Sequence, residues 1–166
     1  MGTFQRWKVT SRQRSHLRAR LPWPKPYQEE QMEIEAALDA GATIGESPTW
    51  APAENALYWI DVKKPALYRY EPVTGGQQSW PMSSDIGAFA LVSDPPGAVV
   101  ALRQGIFRLD FASGSLTQLA PPPFDPTLFR FNEGACDAAG RFWVGVMFDP
   151  VRNTCGSNPT DTPVRK

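Results

Sequence analysis

Hydrophobic and polar residues alternate along most of residues 42–149, in short runs separated by clusters of Asp, Asn, Pro, Thr and Gly. Leu67-Tyr68-Arg69-Tyr70-Glu71, followed by Thr74-Gly75, is matched by Ile106-Phe107-Arg108-Leu109-Asp110, followed by Ser113-Gly114, at a constant offset of 39 residues. Each copy leads through its turn into a further strand-like run, Gln77 to Trp80 and Leu116 to Leu119. Alternation over four to eight residues bounded by Gly-containing turns is the signal of a half-buried strand, and Val, Ile, Tyr, Phe and Trp suit a pleated surface. The pattern predicts strands over 46–50, 56–61, 66–70, 76–80, 86–92, 98–102, 105–109, 115–119, 133–137 and 141–145. Helical patterning is sparse, and the best candidate helix is Glu29 to Ala40.

A longer period lies over these strands. The segments GESPTWAPAENALYWIDV, from Gly45, and RFNEGACDAAGRFWVGVM, from Arg130, share one plan: a polar residue four positions before a strand position, a turn, then aromatic-rich strand sequence. Aligning Trp50 with Leu91 and Cys136 makes Glu46, Gly87 and Asn132 equivalent, at offsets of 41 and 45 residues. A recurrence of about 40–45 residues built from short strands is the length of one four-stranded propeller blade. An ordinary β-sandwich would explain the strands but not the matched positions at two places in each unit. The expected fold is therefore all-β, a propeller carrying about two and a half blades of four-stranded antiparallel sheet.

Composition sets limits on partners. The 166 residues are 42% hydrophobic, and no apolar run is long enough to span a bilayer, so no membrane partner is expected. Residues 1–26 hold seven basic residues and no acidic ones, which leaves the remainder with a net charge of −7. An acidic body argues against nucleic acid, whose phosphates need clustered Lys and Arg. The basic segment carries Pro22, Pro24 and Pro26 and lacks the apolar core of a secretory signal, so a cytoplasmic location is expected. Met32 is read as the natural start. Three regions follow: a basic, disordered extension over 1–31, a propeller-type domain over 32–149, and an irregular tail over 150–166 rich in Asn, Thr, Pro and Ser.

Candidate chemistry is narrow. His16 is the single histidine and lies in the basic segment, which argues against a histidine-rich zinc site and a Ser-His-Asp triad. No phosphate-cradling glycine loop occurs. Cys136 and Cys155 have no metal-ligand spacing, and Cys136, at an apolar strand position, is expected to be a buried free thiol. What remains is carboxylate, amide and guanidinium chemistry. Glu46 offers a carboxylate and Asn132 a carbonyl oxygen at equivalent blade positions, donors that suit hard divalent cations. Arg130, two residues before Asn132, falls on the same side under period-two alternation. The plain alternatives are a solvated turn carboxylate for Glu46 and an Asx-turn for Asn132, with Glu133 as turn surface.

Gly45-Glu46-Ser47-Pro48-Thr49-Trp50, Leu57-Tyr58-Trp59-Ile60-Asp61, Arg130-Phe131-Asn132-Glu133-Gly134 and Gly140-Arg141-Phe142-Trp143-Val144-Gly145 together resemble the gluconolactonase/regucalcin (senescence marker protein) family, in order and spacing, over residues 42–149. The resemblance implies a six-bladed β-propeller that binds one divalent metal ion (Ca, Zn or Mn) in its channel and hydrolyses sugar lactones. By that resemblance Glu46 matches a metal-ligating carboxylate, and Arg130 and Asn132 match residues that hold the lactone's oxygens. The family's other metal ligands, an Asn and an Asp, belong to later blades, and the catalytic base is expected there too. The chain accordingly reads as a truncated member whose catalytic competence is in doubt. A non-catalytic metal- or partner-binding propeller fragment is the alternative function. Unclosed blade edges, with Trp59, Phe107 and Trp143 expected at exposed faces, would favour self-association.

Overall fold

The computed structural model describes residues 2–9 and 32–151. All regular structure among them is β, and the chain divides into two compact units, Met1–Ala42 and Thr43–Lys166.

In the first unit β1 (Gly2–Val9) pairs antiparallel with β2 (Met32–Ala42). Two expectations are corrected here. The segment expected to be helical, 29–40, is strand from Met32 onward, because Ile34, Ala36, Leu38 and Ala40 also fit a period of two. Short apolar runs do not separate the two periods, and a partner strand that supplies ladder hydrogen bonds decides between them. That partner is β1, within the extension expected to lack order. Residues 10–31 and 152–166, for which disorder and an irregular tail were expected, lie outside the described residues. The division also falls at 42/43 rather than 31/32. Just before it Gly41 takes a φ of 55°, a left-handed conformation that a glycine adopts at little cost.

The second unit begins with the sheet β3 (Gly45–Ala51), β4 (Ala56–Asp61), β5 (Ala66–Glu71) and β6 (Gly76–Pro81), and continues with the sheet β7 (Ile86–Val92), β8 (Gly97–Leu102), β9 (Gly105–Asp110) and β10 (Leu116–Ala120). Each is an up-and-down antiparallel meander in sequence order. A third sheet has two strands, β11 (Phe129–Cys136) and β12 (Phe142–Phe148). Nine of the predicted strands agree to within two or three residues. The exception is β11, which starts four residues earlier than expected because Phe129 and Phe131 alternate with Arg130 and Asn132 ahead of the turn-like Glu133-Gly134.

Sheet packing explains the patterning. Tyr58, Ile60, Leu67 and Trp80 of the first sheet meet Ile86, Phe89, Val100, Leu102 and Leu109 of the second in one buried cluster. Each fully buried aliphatic side chain there contributes roughly 1.5–3 kcal/mol relative to exposure. Trp80 and Phe111 stack at 4.2 Å, and the Trp80 indole donates to the Phe111 carbonyl at 3.1 Å, which satisfies its one polar atom. A second cluster joins the other face of the middle sheet to β11, through Ala88, Ala101 and Phe131. Covered on both faces, β8 reads Gly-Ala-Val-Val-Ala-Leu without alternation.

Exposure departs from expectation at three residues. Trp59 is buried, stacked on Tyr68 at 5.3 Å, and Phe107 packs against the main cluster; only Trp143 is exposed, at 61%. It shares the third sheet with exposed Val146 and Phe148. Cys136 is free but exposed, not buried. It is the last residue of β11, paired with Phe142 beside the Asp137 turn, where the two-stranded sheet gives little cover.

Candidate functional site

The three first strands, β3, β7 and β11, break register at the matched positions. The shift lies between Glu46 and Thr49 in β3, between Ile86 and Ala88 in β7, and between Asn132 and Gly134 in β11. Each inserts one residue against its partner strand, a bulge that re-aims the neighbouring side chain. The residues after Glu46 and Asn132 are left-handed, Ser47 at φ 55° and Glu133 at φ 60°. Such conformations are uncommon outside glycine and point to a local requirement. The equivalence of Glu46 and Asn132 is thus one of backbone geometry as well as of sequence. At the middle position only glycine fits, because a Cβ on Gly87 would stand 2.0 Å from the Phe131 carbonyl oxygen and 3.0 Å from the Asn132 nitrogen.

Arg130 and Asn132 are brought together. The Arg130 guanidinium is buried, and its Nη1 donates to Asn132 Oδ1 at 3.0 Å and to the Phe131 carbonyl at 3.1 Å. Since guanidinium only donates, the amide must turn its oxygen to Arg130 and keep its N–H groups for another partner. Asn132 therefore has N–H donors to offer a ligand oxygen, while its own oxygen already accepts from Arg130. Glu133 is exposed at the bulge, as turn surface should be.

Glu46 makes no bond to this pair. Its Oε2 atom is buried and accepts no hydrogen bond. A carboxylate oxygen withdrawn from water without a partner is costly, and a hydrogen-bond donor or a cation would relieve it. Glu46 therefore fits a divalent ion as one ligand. Among the described residues no cluster of three or more His, Cys, Asp and Glu surrounds it, and ~6–8 oxygens are usual for Ca²⁺.

Two features were missed in the sequence. The first is Asp61, fully buried at the end of β4, where it accepts from the backbone nitrogens of Thr43 at 2.7 Å, Ile44 at 3.2 Å, Lys63 at 3.0 Å and Lys64 at 3.1 Å. Burial pushes its pKa up, but these four donors outweigh it and hold the carboxyl below its ordinary value. The second is an ion-pair network that links turns of all three sheets. Asp149, just after β12, accepts from Arg130 Nε at 2.8 Å and Arg103 Nη2 at 3.0 Å, with Lys63 Nζ at 3.5 Å. Asp85 accepts from Arg103 Nη2 at 2.8 Å and Lys63 Nζ at 3.3 Å. Burial raises the Asp149 pKa, yet the Arg130 hydrogen bond and the three cations bring it below the ordinary value. The available signal was Arg103 itself, a charge inside the apolar run from Ala98 to Phe107.

With this geometry in hand, comparison with known proteins decides the family. The family model described as SMP-30/Gluconolactonase/LRE-like region matches residues 44–157. The chain belongs to this family. It is 38% identical over 110 residues to 6-deoxy-6-sulfogluconolactonase of Pseudomonas putida, covering 66% of this chain and 37% of that protein. It is 35% identical over 109 residues to L-arabinolactonase of Azospirillum brasilense, covering 65% and 36%. Regucalcin of Xenopus laevis is 33% identical over 121 residues, covering 73% and 40%. Among solved structures, a calcium-binding protein, regucalcin, from Agrobacterium tumefaciens superposes with a TM-score of 0.59 at 29% identity, over 64% of this chain and 36% of that one. The chain spans between a third and two-fifths of the length of these relatives. Its fold is the regucalcin type of β-propeller, represented among the described residues by two four-stranded blades and two strands of a third.

Proposed function

We propose that the chain carries a partial site for metal-dependent sugar-lactone hydrolysis, in which Glu46 ligates one divalent cation and Arg130 and Asn132 hold the oxygens of an aldonolactone. The observation that carries this reading is the buried Glu46 Oε2 atom without a hydrogen-bond partner, at the bulge equivalent to that of Asn132. The lactonase relatives support the substrate class, and the calcium-binding regucalcin neighbour supports a divalent ion. When bound, such an ion supplies Lewis-acid polarisation of a lactone carbonyl. Asn132 donates an N–H to a ring or hydroxyl oxygen, and the cationic Arg130, 3.0 Å away, strengthens that donor by polarising the amide. No described residue takes the role of general base, and little turnover is expected from the 166 residues alone.

Mn²⁺ tests the ligand assignment directly, since it broadens nuclear magnetic resonance signals close to it. Substoichiometric Mn²⁺ should broaden the Gly45 and Ser47 amides in the parent chain and in Glu133→Gln, and leave them sharp in Glu46→Gln. Equal behaviour of the two variants would mean that Glu46 is not the ligand. Calcium-, zinc- or manganese-dependent ring opening of gluconolactone, followed by acid release, tests activity, and robust turnover by this chain would overturn the partial-site reading.

A further inference from the structure

Arg103 lies in the turn between β8 and β9, in a different sheet from Arg130 and Asn132, yet it is buried, at 8% exposure. Its guanidinium is almost fully used. Nη1 donates to three carbonyls that frame the open end of the β11–β12 hairpin: Pro126 and Phe129 at 3.2 Å each, and Asp149 at 2.8 Å. Nη2 donates to Asp85 Oδ2 at 2.8 Å and to Asp149 Oδ2 at 3.0 Å. The same Asp149 oxygen accepts from Arg130 Nε at 2.8 Å. A continuous relay therefore runs from Arg103 through Asp149 and Arg130 to the Asn132 amide.

We propose that Arg103, acting through Asp149, is a positioning residue that fixes the Arg130 guanidinium and thereby the direction in which Asn132 presents its N–H donor. The inference rests on the reading of Arg130 and Asn132 as lactone-binding residues. Arg130 donates through Nε to Asp149 and through Nη1 to Asn132, so Asp149 sets the plane of the guanidinium. Planarity then carries that plane to Nη1. Arg103 holds Asp149 by both its carboxylate and its carbonyl, which ties the side chain to the strand end. Lysine cannot reproduce this fork, because an ammonium is a point charge without a fixed plane. Lys63, at 41% side-chain exposure and 3.5 Å from Asp149, is too exposed and too distant to set the orientation.

The test uses the full chain labelled with nitrogen-15, reading the Arg130 Nε–H and the Asn132 side-chain amide directly. In the parent chain the Arg130 Nε–H should exchange at least about tenfold more slowly than that of Arg69, whose partner Glu54 is more exposed, a factor matching one charge-assisted hydrogen bond. Arg103→Gln and Asp149→Asn should each remove that protection and shift the Asn132 amide pair, with the backbone amides of β4 and β5 unmoved. Arg103→Lys should fail to restore them, and Lys63→Met should change neither. With gluconolactam, whose ring amide resists opening, as probe, Arg103→Gln should weaken binding by about tenfold. A parent chain that fails to bind the lactam but shows the Arg130 and Asn132 changes would refute the lactone reading and uphold the relay. Unmoved Arg130 and Asn132 signals in a folded Arg103→Gln chain would overturn the relay. Should both substitutions unfold the chain, fast exchange of Arg130 Nε–H in the parent would overturn it equally.

Discussion

At the residue scale, two carboxylates with buried oxygens behave in opposite ways. Glu46 has an oxygen without a partner, so replacing it with neutral glutamine should stabilise the cation-free chain, by about 1 kcal/mol. The urea midpoint in chelator-treated buffer measures this, and a lowered midpoint would contradict the buried, unpartnered oxygen. Asp61 is fully partnered, and Asp61→Asn turns an amide nitrogen toward one of its donors, such as the Thr43 N–H. The expected loss is about 2–3 kcal/mol in the same measurement. These roles were unequally legible. Glu46 and Asn132 stood out because their spacing repeats with the blade, and Arg130 because it lies two residues before Asn132, on the same side. Asp61 did not, since its four donors come from a turn and an approach segment that nothing in the alternation marks. The orientation of the Asn132 amide was not legible for a related reason: sequence places Arg130 on its side but cannot say which amide atom meets it.

At the element scale, the contact of β7 with β11 depends on Gly87. A methyl group there would meet the Phe131–Asn132 peptide, which is backbone and cannot rotate aside. Gly87→Ala should cost about 1–3 kcal/mol, the usual range for overpacking, and should displace the Asn132 amide signals. An unchanged denaturation midpoint would show that the strands lie further apart. Hydrogen exchange gives a second check. Amides of β4 and β8, central in their sheets, should exchange far more slowly than those of β12 that have no pairing strand among the described residues. Strand positions from β3 to β10 were readable because alternation and turn residues coincide in them. For β1 and β2 they do not: basic residues interrupt the first, and the second also carries a helical period.

At the scale of the second unit, Asp149 joins cations from three sheets and Asp61 gathers four backbone donors beside the first, and both have pKa values below the ordinary one, so stability should depend on acidity in a definite sense. Asp61 and Asp149 are held below the ordinary 3.8 in the folded chain. Their contribution is full above that value and is lost as pH falls through the lower folded values. Denaturation midpoints should therefore drop between about pH 5 and about pH 2, and the drop should shrink in Asp149→Asn. A midpoint flat across that range would exclude the pairing. The recurring bulge has a different consequence, for how such a chain can diversify. Because the inserted residue is absorbed locally, the side chain beside it is decoupled from the hydrogen-bond ladder. An acid, an amide or another polar group can therefore be exchanged there in one mutational step while the sheet stays the same. Two of the three positions, held by Glu46 and Asn132, are open to rewriting in this way; the third, pressed against its neighbour's backbone at Gly87, is closed.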